Sequence, residues 1–188
     1  MPRTVRRPAI FIDSLYLQCY NPAAMQARKL LLPLLVIAAA AVMPAQQAAS
    51  RPNLSGNWVF SPQKSSLKMP APTSMTLQIE HNDPQVRFLR TQNYGDQSFK
   101  WELDTLADGQ KEVVQDSPQY KSKVRLYWEG SALVLDQQIT ADDGTKASDI
   151  VTYSLLDDGK VLQAVERQTT IGAKGSMTNK WVYDRQAP

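Results

Sequence analysis

Beyond Cys19 this 188-residue chain has no cysteine, and its whole length carries one histidine, His81. The missing thiols exclude disulfides, thiolate metal sites and cysteine nucleophiles from everything after residue 19. A lone histidine without carboxylates at ligand spacing gives no metal centre. Neither a G-x-S-x-G elbow nor a phosphate-cradling glycine loop occurs. His81 closes a strand pattern beside "NDP" and reads as a hydrogen-bonding residue at a strand–turn junction. No catalytic constellation, cofactor or metal is expected.

Long apolar runs are also scarce. One exists, the 13 uncharged residues from Leu30 to Val42. It is well short of the roughly 20 residues that span a bilayer. Arg28 and Lys29 precede it, and Ala45, Ala48 and Ala49 follow, so residues 25–50 read as a secretory signal peptide starting at Met25. Residues 1–24, with "VRRPAIF", read as an over-called or disordered extension. The expectation is a periplasmic or secreted protein with no stable membrane span after signal cleavage.

Excess charge is absent from what remains. The chain has 21 basic and 18 acidic residues, of which five basic and one acidic precede residue 51. That leaves 16 basic and 17 acidic residues in 51–188. A domain so balanced has no electrostatic footprint for nucleic acid.

What is present is alternation of period two. Met75, Leu77 and Ile79 oppose Thr76, Gln78 and Glu80; Phe99, Trp101 and Leu103 oppose Lys100 and Glu102. Val124, Leu126 and Trp128 oppose Arg125 and Tyr127, and Met177, Trp181 and Tyr183 oppose Lys180 and Asp184. Strands with one apolar and one solvated face belong to antiparallel sheet. Turn signals separate them: "NDPQ" at 82–85, "YGDQ" at 94–97, "ADGQ" at 107–110, "WEGS" at 128–131, "DDGT" at 142–145, "DDGK" at 157–160 and "GAKG" at 172–175. Residues 51–188 are therefore expected to form one all-β domain, an antiparallel up-and-down β-barrel of 8–10 strands. Closure removes two open edges and one bare apolar face. A two-layer sandwich is the alternative.

The first strand, "LSGNWVF", places Leu54, Trp58 and Phe60 on one face, and "SPQKSSLKMPAPTS" follows as a loop over one mouth. With Gly56, Trp58 and a late Arg185, the sequence resembles the lipocalin-like, calycin-type barrels. In those an arginine of the last strand packs over the Gly-x-Trp tryptophan. It is similar in particular to small exported bacterial proteins that open "LSGxW", continue "P-x-K-S" and end near "VYDR". The resemblance implies a β-barrel with Gly56, Trp58 and Arg185 as its structural motif.

Four tryptophans fall in strands, and a barrel of this size is just wide enough for one small ligand. Trp101, Trp128, Gln137, Tyr153, Gln163, Arg167, Asn179 and Tyr183 are the expected ligand-binding residues, being inward on this register and polar or aromatic. Asp142/Asp143 and Asp157/Asp158 read as solvated turns, and Glu166 as a strand acid without a partner. The expected function is binding of a small apolar or amphipathic ligand by a monomer. Two alternatives stand beside it. One is a solid module acting through mouth loops at 61–73 and 116–122. The other is an enzyme with a polar site inside the barrel. An interior cavity above about 300 Å³ separates container from solid module.

Overall fold

A computed structural model of the chain describes residues 51–118, 120–172 and 175–187. The expected signal peptide at 25–50 and the extension expected before it lie outside the described residues. Ten strands follow in order: β1 (Gly56–Phe60), β2 (Ser74–Asn82), β3 (Gln85–Tyr94), β4 (Gln97–Leu106), β5 (Glu112–Asp116), β6 (Tyr120–Glu129), β7 (Ala132–Ala141), β8 (Lys146–Leu156), β9 (Val161–Thr170) and β10 (Met177–Arg185).

They make one antiparallel sheet in the order β4-β3-β2-β1-β10-β9-β8-β7-β6-β5. Hairpins form at the turn signals 82–85, 94–97, 128–131, 142–145 and 157–160, with glycines supplying positive φ at reversals such as Gly95 (56°) and Gly130 (61°), whereas the turn at 107–110 joins β4 to β5, which do not pair. The first and last strands meet: Trp58 pairs with Arg185 and Phe60 with Tyr183. The sheet thus curls into a nearly closed up-and-down barrel, open only between β4 and β5. Side chains bridge that seam. Trp101 Nε1 donates to Gln115 Oε1 at 3.0 Å, and Gln115 Nε2 donates to the Glu102 carbonyl at 2.7 Å.

The two expected mouth loops are reshaped. After a 3-10 turn at Pro62–Lys64, Ser66 exchanges two 2.8 Å backbone hydrogen bonds with Lys180. This segment thus continues β1's place beside β10 and forms wall rather than a lid. The loop expected at 116–122 shrinks to 117–119, since β5 and β6 run up to it on either side.

Inward-facing residues divide the barrel along its axis. Toward the β2–β3 turn, Trp58, Val86, Phe88, Leu103, Leu126, Leu133 and Leu162 have no more than 1 % of their surface exposed. Burying each Val, Leu or Phe contributes about 1.5–3 kcal/mol. Trp58 anchors this end, its Nε1 donating to the Leu54 carbonyl at 3.1 Å. This half is solid.

Candidate functional site

Toward the opposite, loop end the same inward rows open to solvent. On β3, Val86 and Phe88 are buried, whereas Arg90, Gln92 and Tyr94 are half-buried. On β4, Leu103 is buried, Trp101 half-buried and Phe99 exposed; on β9, Leu162 and Ala164 are buried, while Glu166, Gln168 and Thr170 are half-buried. An apolar plug thus fills one half of the barrel, and the other half forms a cup.

The floor of the cup is polar. Glu166 Oε2 accepts from Asn179 Nδ2 at 2.7 Å and from Trp181 Nε1 at 2.9 Å. Asn179 is itself fixed by the loop, its Oδ1 accepting the Lys68 N–H at 2.7 Å. Asp149, from β8, stands within hydrogen-bonding reach of Glu166. Burial, and secondarily the Glu166 charge, pushes the Asp149 carboxyl up to about 7 against the opposing pull of Arg90. The Arg90 guanidinium lies 5.1 Å from the centre of the Trp101 ring. Arg90 Nε and Asp149 Oδ1 are buried and have no hydrogen-bond partner among the described residues. Beneath them, Tyr153 and Tyr183 are buried, and burial raises both phenols far above their usual range.

A cavity of about 20 Å³ sits at this floor, lined by Met75, Arg90, Val151, Tyr153, Ala164, Glu166, Trp181 and Tyr183. It holds about one water-sized group. The barrel at this level is therefore no hollow container. Larger grooves face outward, the two most voluminous among the described residues on the β2 side. One of about 430 Å³ lies by the β2–β3 turn with Glu80, Arg87 and Asp104, and one of about 320 Å³ runs over Thr76, Gln78 and Leu89.

The expected ligand residues divide accordingly. Trp101 and Asn179 border the floor. Tyr153 and Tyr183 lie just under it, in ring contact with Phe88 (5.3 Å) and Phe60 (6.2 Å). Gln137 is buried on the β7 side, where its Nε2 donates to Ser122 Oγ at 2.9 Å. Three residues are corrected. Gln163 and Arg167 project outward, because Leu162, Ala164 and Glu166 take the inward row. The small Ala164 and the larger apolar Val165 hide that register in the sequence. Trp128 belongs to the opposite end, its ring 5.5 Å from that of His81.

His81 is a structural residue. Its Nδ1 accepts the Leu54 N–H at 3.3 Å, and Ser55 Oγ bonds the His81 backbone rather than its ring. These contacts leave no Ser–His couple, and no cluster of metal-ligating side chains occurs among the described residues.

Arg90, Asp149 and Glu166 were not among the expected site residues, yet the register that places Phe88 and Tyr153 inward places Arg90 and Asp149 inward too. Glu166 found its partner across one strand pairing, β8 with β9.

The fold is that of the lipocalin-like, calycin-type barrels: an antiparallel up-and-down barrel whose Gly-x-Trp strand meets the last strand, with Arg185 over Trp58. No family model matches the chain, and no curated protein matches it. Several solved structures share its outline at low identity. Secretory abundant heat soluble protein 4 from Ramazzottius varieornatus is 15% identical with a TM-score of 0.47, covering 75% of this chain and 99% of that one. Apo lipid binding protein 8 of Caenorhabditis elegans is 12% identical with a TM-score of 0.46, covering 71% and 95%. The fluorescent protein UnaG is 16% identical with a TM-score of 0.45, covering 70% and 96%.

Proposed function

We propose that the protein is an exported, non-catalytic binder of a small amphipathic ligand, held in the loop-end cup with its polar head on the floor. The observation that carries this reading is a pair of buried atoms without hydrogen-bond partners among the described residues, Arg90 Nε and Asp149 Oδ1, on inward rows of the half that opens to solvent. Buried polar atoms are almost always satisfied, and those left over at the base of a cleft are where a ligand's head finds partners. Trp101, Trp181 and Val151 supply apolar wall beside and below them. The remaining fixed groups bond one another and present no nucleophile–base couple, which favours binding over catalysis.

A second reading has its own observation. The solid lower barrel and the cavity of about 20 Å³ suit a module that works through its rim. Native mass spectrometry of protein purified from its host without detergent separates the two. A retained small-molecule mass, or uptake of a fluorescent alkyl probe quenched by Trp101 and Trp181, is expected for the binder. A ligand-free spectrum with no probe uptake leaves the rim module.

A further inference from the structure

We infer that Met69 is an oxidation site, and that its sulfoxide locks the segment after β1 onto the last strand. Three methionines lie in residues 51–188: Met69, Met75 and Met177. Met75 has 2 % of its surface exposed and Met177 is half-buried, whereas Met69 is 38 % exposed on the segment between β1 and β2. A two-electron oxidant such as hydrogen peroxide or hypochlorous acid therefore reaches Met69 first. Exposure alone would make it an ordinary target of oxidation. Its partner sets it apart. Met69 Sδ lies 3.7 Å from Asn179 Nδ2, a long contact to a weak acceptor. Asn179 is fully buried and already fixed: its Oδ1 accepts the Lys68 N–H at 2.7 Å, and its Nδ2 donates to Glu166 Oε2 at 2.7 Å. An amide nitrogen carries two hydrogens. Glu166 takes one, and the thioether uses the other poorly.

With hydrogen peroxide, a sulfur lone pair attacks one peroxide oxygen. The S–O bond forms as the O–O bond breaks, and the sulfur is oxidised by two electrons. The departing hydroxide takes the proton of the transferred oxygen and leaves as water. The product is a polar, chiral side chain in place of a flexible apolar one. Its oxygen extends beyond the sulfur and is a much stronger acceptor for the second Asn179 hydrogen. Ser66 already exchanges two backbone hydrogen bonds with Lys180, and Lys68 already bonds Asn179. The new bond therefore extends a run of contacts from Ser66 to Met69 along β10, beside the floor of the cup. Reduction by a methionine sulfoxide reductase, in which two thiols become a disulfide and the oxygen leaves as water, restores the looser state. The switch operates whether or not the cup holds a ligand.

Treatment of the purified full chain with hydrogen peroxide, followed by peptide mass spectrometry and amide NMR, tests both parts. Met69 is expected to gain oxygen about tenfold faster than Met75, and ahead of Met177. As it does so, the Asn179 side-chain N–H signals should shift, and exchange of the Lys68 amide should slow about threefold or more. A methionine sulfoxide reductase supplied with dithiothreitol should reverse both changes. Met69→Leu should leave the Asn179 signals unmoved by peroxide, although Met75 and Met177 are still present. Oxidation of Met75 or Met177 as fast as Met69 overturns the site. Oxidation of Met69 with the Asn179 signals unmoved, or with faster exchange at Lys68, overturns the lock.

Discussion

The guanidinium of Arg185 lies 4.2 Å from the centre of the Trp58 ring, and the two residues are direct partners across the β1–β10 pairing. The same side chain donates to the Ser55 carbonyl at 2.6 Å and to the Gly159 carbonyl at 2.7 Å. One residue thus ties the first strand, the last strand and the β8–β9 turn together at the plugged end. Arg185→Ala is expected to cost about 1–3 kcal/mol, from a lost cation–π contact and two charge-assisted hydrogen bonds. Arg185→Lys should recover less than half, since an ammonium cannot stack flat and donate in two directions. Urea unfolding of the three proteins reads both values.

Gly56 is coupled to that clamp. A Cβ there would meet Arg185 Nη1 at 2.6 Å, and the backbone φ of +150° disfavours a side chain. Gly56→Ala should therefore destabilise by about 1–3 kcal/mol. Part of that cost should vanish in the Arg185→Ala background, where the clash is gone. A double-mutant cycle with strictly additive costs would refute the coupling.

At the seam, Gln115 holds β4 and β5 together through its two side-chain hydrogen bonds. Gln115→Leu is expected to lower stability by about 1–2 kcal/mol. It should also speed amide exchange in Gln97–Leu106 and Glu112–Asp116 ahead of the other strands. Uniform exchange changes across the barrel would argue against a local latch.

Asp149 makes stability depend on pH. Its carboxyl is raised to about 7 in the folded chain by burial and by Glu166, and it returns to its ordinary range near 4 on unfolding. Between those values the folded state holds the proton more tightly than the unfolded state. Stability therefore falls as pH climbs from about 4 to about 7, then levels off. The isostere Asp149→Asn should flatten this slope and raise stability at pH 8 by on the order of 2 kcal/mol. Thermal unfolding of both proteins from pH 4 to 8 checks the sign; parallel curves would place the titration elsewhere.

Most of the fold was legible because its signals are local. Gly95 and Gly130 mark reversals, Met75–Leu77–Ile79 alternates cleanly, and the Gly56–Trp58–Arg185 motif closes the barrel as the sequence implied. The site was legible only where one face of a strand is plainly apolar. On β9 both faces carry apolar residues, so the sequence pattern points Gln163 and Arg167 inward and gives Glu166 no partner. Pairing of Asp149 with Glu166 depends on the relative register of two strands, which no local pattern encodes. The long loop after β1 gave no sign that Ser66 would pair with Lys180, since its three prolines suggest only irregular chain.

The most direct test is a two-dimensional NMR titration of the full chain, isotopically labelled, with the octyl amphiphiles octanoate, octanol and octylammonium in turn. Shifts centred on the Trp181 indole N–H, the Asn179 side-chain amide and the backbone of Arg90, Asp149 and Glu166 are expected, with the Trp128 indole at the plugged end unmoved. Shifts centred instead on Gln78, Leu89 and the outer grooves, or none at millimolar probe, would contradict a ligand site in the cup.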